Sequence, residues 1–175
     1  MGDAVGECLR CIAQDEHFPE ILQQQAGVLR GAARKANTAQ LRKFVGDAMI
    51  LASGYNDETL HALDALLQPE AHSRSIWSID SEERRPESTE SIHELHGASL
   101  YVLRKDITLL EVDCIVNAAN ESGLGCFQPH HRCIDNIIHR FAGPRLRVAC
   151  TDAMARRKTL LIAGSEPLVT HGFHL

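Results

Sequence analysis

Cys126, His131 and Cys133 stand at C-x4-H-x-C spacing, which brings two thiols and an imidazole within eight residues. Thiolate and imidazole together suit Zn²⁺, a borderline-soft ion that accepts both donor types. Pro129 stiffens the turn between the donors. Three protein donors with one open position is the pattern of a catalytic zinc site, although His130 or His139 could complete a tetrahedron. The spacing is not one of the common finger patterns, so the competing reading is a thiol-rich loop whose imidazoles face water. Asp135 and Asn136 then fall in the first turn of a helix, where free N–H groups and the helix dipole favour a carboxylate or a ligand phosphate. An aspartate there is also an ordinary helix-start residue. Its nearness to the thiol loop makes Asp135 a candidate base, or a residue that orients one. Upstream, Asn117 and Asn120 offer amide donors and acceptors in a loop, where polar side chains reach ligands, and Gly123 and Gly125 let the backbone approach a bulky group.

These residues need elements to hold them. The run from Val112 to Asn120 reads as an apolar strand, buried from Asp113 to Val116, that enters the polar loop. Ile134 to Phe141 reads as a helix, Pro144 opens another that runs to about Arg156, and Ser99 to Arg104 is strand-like. Strand and helix in alternation predict an α/β domain. Residues 3 to 68 read as helical throughout. Pro19 begins a helix with Ile21, Leu22, Val28 and Leu29 on one stripe. Asn37 or Thr38 caps a helix carrying Leu41, Phe44, Val45, Met49 and Leu51, and Asn56 or Asp57 caps another that ends before Pro69. The expected role of this helical region is packing. From 69 to 96 a composition of Ser, Glu, Arg and Pro reads as a linker, which Trp77 would pin to a neighbouring surface.

Composition removes several function classes. A formal net charge of −5 lacks the basic excess of a nucleic-acid binder held by phosphate contacts. No stretch approaches the roughly 20 apolar residues of a membrane span, and Met1 to Gly6 has neither the basic start nor the apolar run of a secretory leader. A soluble, cytoplasmic protein is expected, with thiols kept reduced. Cys8 and Cys11 form a C-x-x-C on a helix with no strand before it and read as half-buried packing residues, and Cys150 reads as core.

At this point the chain resembles the macrodomain family of ADP-ribose-binding α/β modules. Lys105-Asp106-Ile107-Thr108 followed by Leu110 to Asn120 is similar to that family's opening signature, with Lys105 where the family carries glycine. Gly125-Cys126-Phe127, Pro129, His131, Cys133-Ile134-Asp135-Asn136 and His139 resemble one branch, the zinc-dependent macrodomain ADP-ribosyl hydrolases. These proteins also carry a helical N-terminal extension. The resemblance covers about 97 to 175, ends at a segment (Thr170 to Leu175) like the one that precedes a central strand, and so implies the first part of a three-layer α/β/α macrodomain without its second half. It implies that Asp106 accepts a hydrogen bond from the adenine amino group with Ile107 beside it. Asn117, Asn120 and Gly125 would line the ADP-ribose site, Asn120 holding the distal ribose. Cys126, His131 and Cys133 would bind zinc, and Asn120 and Asp135 would stand at the catalytic positions. The implied activity is zinc-dependent removal of ADP-ribose from mono-ADP-ribosylated protein side chains. The alternatives are an ADP-ribose-binding module without turnover and an inactive truncated fragment.

Overall fold

The computed structural model describes residues 2–32, 37–81, 90–157, 159–160 and 166–175. Most of the charged linker run (82–89) and Lys158 lie outside the described residues. The chain forms two compact units, Met1–His72 with Asn117–Leu175, and Ser73–Val116.

The first unit is helical: α1 (Gly2–Ile12), α2 (Glu20–Ala32), α3 (Thr38–Leu51), α4 (Asp57–His72), α5 (Ile134–Ala142) and α6 (Pro144–Arg157). Asn37 caps α3 by accepting from Ala39 N at 2.8 Å, and Asn56 rather than Asp57 caps α4 by accepting from Thr59 N at 2.8 Å. Apolar residues at helical spacing close the core, with Val5, Leu9 and Ile12 of α1 against Leu41, Val45 and Met49 of α3 and Leu63, Leu66 and Leu67 of α4. On α2 the expected stripe divides. Leu22 and Leu29 pack on the core around buried Ala26, while Ile21 and Val28 are 63% and 73% exposed on the other side of the helix. Helix α4 continues through Pro69 to His72 rather than stopping before it. The proline has no N–H to donate to the carbonyl of Ala65, so the last turn of α4 lacks that hydrogen bond. Cys8 and Cys11 are fully buried, more deeply than expected, and the Cys8 thiol donates to Ala62 O at 3.2 Å. Burial pushes the Cys8 thiol up to about 12 and also raises Cys11, and it pushes buried Cys150 to about 11, so all three are inert packing residues.

Asp15 lies fully buried in the turn after α1. It accepts from His17 N at 3.1 Å, from Asn56 N at 2.9 Å, and pairs with His17 Nδ1 at 2.7 Å. One carboxylate thereby ties the α1–α2 turn to the α3–α4 turn. Helices α5 and α6 pack on α3 and α4, where Arg145 pairs with Asp64, which His174 Nε2 also meets at 3.1 Å. Between α5 and α6, Gly143 has φ +88°, and a Cβ there would come within 2.9 Å of Leu67 Cδ1.

In the second unit β1 (Glu90–Leu95) and β2 (Ala98–Val102) form an antiparallel hairpin. The positive φ values of His96 and Gly97 supply the two-residue turn. β2 occupies the strand-like run read from the sequence. β1 falls in a stretch read as linker, because pairing with β2 rather than its own charged composition sets its extended state. Trp77 does pin its segment. Its N donates to Leu109 O and its O accepts from Glu111 N, both at 2.8 Å, and Lys105 Nζ stands 4.2 Å from the ring centroid. The buried strand expected at 113–116 is not formed: the segment has a bend at Asp113 and no regular secondary structure, and Val116 is 85% exposed. A strand is stabilised by its neighbours' N–H and C=O groups, and none of the described residues supplies them there. Among the described residues no helix is long and apolar enough to cross a membrane.

Candidate functional site

Helix α5 begins at the thiol loop. Cys133 is its N-cap, in extended conformation, with Sγ accepting from Asn136 N at 3.3 Å. Upstream, Cys126 Sγ lies 3.5 Å from His131 Nδ1, and the donor atoms of Cys126, His131 and Cys133 all lie within 4.8 Å of one another. Zn–S bonds near 2.3 Å and Zn–N bonds near 2.0 Å place tetrahedral donors about 3.5 Å apart, so a small closure of this group fits that ion. Two half-buried thiols beside an exposed imidazole leave the group open on one side. His130 and His139 stand outside it.

The two thiols differ in character. Burial would raise the Cys126 thiol, but hydrogen bonds involving the Gln128 backbone, His131, Asn136 and Cys133 outweigh it and hold the group below its ordinary value. Cys133 is raised, first by burial and then by the neighbouring Cys126 and Asp135 charges, against the opposing Asn136 N–H. The two thiols are thus shifted in opposite directions, Cys126 toward easier loss of its proton and Cys133 away from it. The span between them is folded back on α5, since Gln128 O accepts from His131 N at 3.0 Å and from Asn136 Nδ2 at 2.5 Å.

Beneath this loop lies a buried polar cluster. Asp135 and His139 are each 4% exposed. Asn117 Nδ2 donates to Asp135 Oδ1 at 2.8 Å, and His139 Nε2 lies 3.6 Å from the same oxygen. Desolvation pushes the His139 imidazole down to about 4, against the pull of Asp135, so the ring is neutral at pH 7. Asn117 Oδ1 and His139 Nδ1 are buried without a hydrogen-bond partner among the described residues. Gly125 has φ +85°, and a Cβ there would meet three ring atoms of His139 at 2.7 Å. Among the described residues, the bulky group on the side where a Gly125 side chain would stand is the His139 imidazole. Asn120 is exposed and shapes the turn before it, its Nδ2 donating to Gly125 O at 3.0 Å and its Oδ1 accepting from Gly123 N at 3.1 Å and Ser122 Oγ at 2.6 Å.

The sequence-read site residues therefore form three groups. Cys126, His131 and Cys133 converge; Asn117 and Asp135 pair; Asn120 and Gly125 share a turn. Asp106 and Ile107 belong to the second unit, where Asp106 caps the 3₁₀ turn Ile107–Leu109 and its Oδ1 accepts from Thr108 N at 2.9 Å and Thr108 Oγ1 at 2.8 Å. Two residues the sequence reading missed touch the thiol loop: Arg140 Nη2 donates to Pro129 O at 3.3 Å, and the Arg147 guanidinium stands 4.0 Å above the Phe127 ring. Nothing in their local sequence marks them, because arginine on a helix ordinarily faces solvent.

Comparison with known proteins places this geometry in context. Residues 116–175 match the family model described as Macro domain. A probable bifunctional ADP-ribose hydrolase/ADP-ribosyltransferase of Fusarium oxysporum f. sp. cubense is 54% identical over 83 residues, 47% of this chain and 14% of that protein. A protein-ADP-ribose hydrolase of Treponema medium is 61% identical over 54 residues, 31% of this chain and 21% of its own length. A protein-ADP-ribose hydrolase of Staphylococcus aureus (strain COL) is 33% identical over 120 residues, 69% of this chain and 41% of that protein. The chain spans less than half the length of these curated relatives. The matched segment, 116–175, is the one that carries the thiol loop and the buried polar cluster, and its sequence is similar to the family model described as Macro domain.

Proposed function

We propose that this chain carries the metal-binding part of a zinc-dependent hydrolase that removes ADP-ribose from mono-ADP-ribosylated protein side chains. The observation that carries the reading is the convergence of the Cys126, His131 and Cys133 donors inside the segment that matches the Macro domain. The relatives named as protein-ADP-ribose hydrolases support the same chemistry. When bound, Zn²⁺ supplies Lewis-acid polarisation at the anomeric end of the substrate.

The chain's own residues do the rest. Asp106 accepts from the adenine amino group with Ile107 against the base, and Asn120 with the Gly125 backbone meets the distal ribose. Asp135 is buried and holds Asn117 by its amide, so it acts by orienting that amide beside the reacting bond. The three-layer α/β/α sheet belongs to the same proposal, with exposed Val112 and Val116 as the apolar positions a neighbouring strand would cover. The partner is ADP-ribose or a mono-ADP-ribosylated protein, and the compartment is the cytoplasm.

The test is release of ADP-ribose from a mono-ADP-ribosylated protein. Release is expected with zinc present, and a loss of at least about a hundredfold on chelation or in Cys133→Ser, the size seen when a metal site loses its ion or its support. Release that survives both treatments overturns the metal reading. A second reading, an ADP-ribose-binding module without turnover, is favoured by the burial of Asp135, which keeps its carboxylate from a substrate. Calorimetric binding of ADP-ribose with no product over hours selects it.

A further inference from the structure

The loop between Cys126 and Cys133 is held at three consecutive residues, and two of the three holds lead to the N-terminal helices. Gln128 is bonded within the segment itself, to Asn136. Pro129 O accepts from Arg140 Nη2, and the same nitrogen donates to Asp47 Oδ1 of α3 at 2.6 Å. Phe127 lies under Arg147, whose Nη1 donates to Ala52 O, just past the end of α3, at 3.2 Å. Each arginine thus has one contact on the thiol loop and one on α3 or its C-cap.

The surroundings are shaped for both contacts. Gly46 of α3 faces the Arg140 guanidinium, and a Cβ there would come within 3.3 Å of Arg140 Nη1 and 3.2 Å of Arg42 Nη1. Asp47 is also engaged by Lys43 on its own helix. Burial would raise the Asp47 carboxyl, but Lys43 and Arg140 together hold it below its ordinary value, so it meets Arg140 as a carboxylate. Arg147 is 3% exposed. A guanidinium kept that deep has to place its donors and its flat face on specific partners, and it finds the Ala52 carbonyl and the Phe127 ring.

We infer that Arg140 and Arg147 are positioning residues that make α3 part of the thiol site. The helical region does more than pack: through Asp47–Arg140–Pro129 and Ala52–Arg147–Phe127 it sets where Cys126 and His131 stand relative to Cys133. Helix α5 alone fixes Cys133, as its N-cap, whereas Cys126 lies on the far side of the braced residues. The consequence for metal affinity rests on the zinc reading above, but the consequence for the loop does not.

The experiment measures both in the whole chain, for wild type, Asp47→Ala, Arg140→Met and Arg140→Lys. Hydrogen exchange reports the loop without any metal, and competition with a chromophoric chelator reports affinity for Zn²⁺ alone. Exchange across 126–133 is expected to quicken about tenfold in Asp47→Ala and Arg140→Met, while amides of α1 and α4 keep their wild-type rates. Zinc affinity should fall about tenfold in the same two variants, and Arg140→Lys should recover part of both changes. A double variant Asp47→Ala/Arg140→Met should be no worse than Arg140→Met, because the two residues act in series. Loop exchange at the wild-type rate in Asp47→Ala and Arg140→Met overturns the inference, as does quickening spread equally over every helix. If wild type holds no zinc while loop exchange still responds, the bracing stands and the zinc reading falls.

Discussion

Gly125→Ala is expected to destabilise the helical unit by about 3 kcal/mol and to dismantle the thiol loop with it. Two effects add. At φ +85° an L-residue is strained, and its methyl carbon would sit 2.7 Å from three ring atoms of His139. His139 cannot swing aside cheaply, because it is 4% exposed and lies against Asp135. Chemical denaturation monitored by circular dichroism checks the loss. A second background separates the two effects: in His139→Ala the overlap is absent, so adding Gly125→Ala there should cost roughly half as much as in wild type, the backbone strain alone. A Gly125→Ala protein as stable as wild type would show that the turn at Asn120–Gly125 does not press on the imidazole.

The other large effect is expected at Asp15, far from the thiol loop. Asp15→Ala leaves Asn56 N and His17 N without their acceptor in a fully buried position, a loss of about 3 kcal/mol at neutral pH. The same residue shapes the acid limb of stability. Burial raises its carboxyl, but hydrogen bonds from Asn56 N and His17 outweigh that and hold it below its ordinary value. A group depressed in the folded state contributes stability that is complete above its unfolded value, near about 4, and is lost as pH falls through the folded value. Wild type and Asp15→Ala should therefore differ most at pH 6 to 7 and converge as the pH drops below about 4. Urea denaturation across that range measures it. A constant gap down to pH 3 would show that the Asp15 carboxylate is not what joins the two turns.

What could be read from the sequence follows the reach of the interactions involved. The helices α3, α5 and α6 were legible because their signals are local: an Asn37 cap, an apolar stripe, a proline at the opening of α6. The thiol cluster was legible for the same reason, its three donors lying within one loop. Asp113–Val116 reads as a buried strand by its apolar residues, yet burial is conferred by neighbouring strands, and the described residues supply none. β1 shows the reverse, a charged stretch drawn into a hairpin by its partner. Arg140 and Arg147 were illegible because their partners on α3 lie 93 and 95 residues away in the chain. Gly125 was read as a place where the backbone approaches a bulky group, and the neighbour found there among the described residues, His139 of α5, is set by helix packing that its local sequence does not show.

Everything proposed about activity depends on Cys126, His131 and Cys133 gripping one ion. Metal analysis of the purified, reduced chain, paired with the same measurement on Cys126→Ser and Cys133→Ser, tests this most directly. One equivalent of zinc per chain in wild type, falling to near zero in both variants while the helices remain folded, is the predicted result. Folded wild-type protein that takes up no zinc from a metal buffer, or holds it equally well without either thiol, would contradict it.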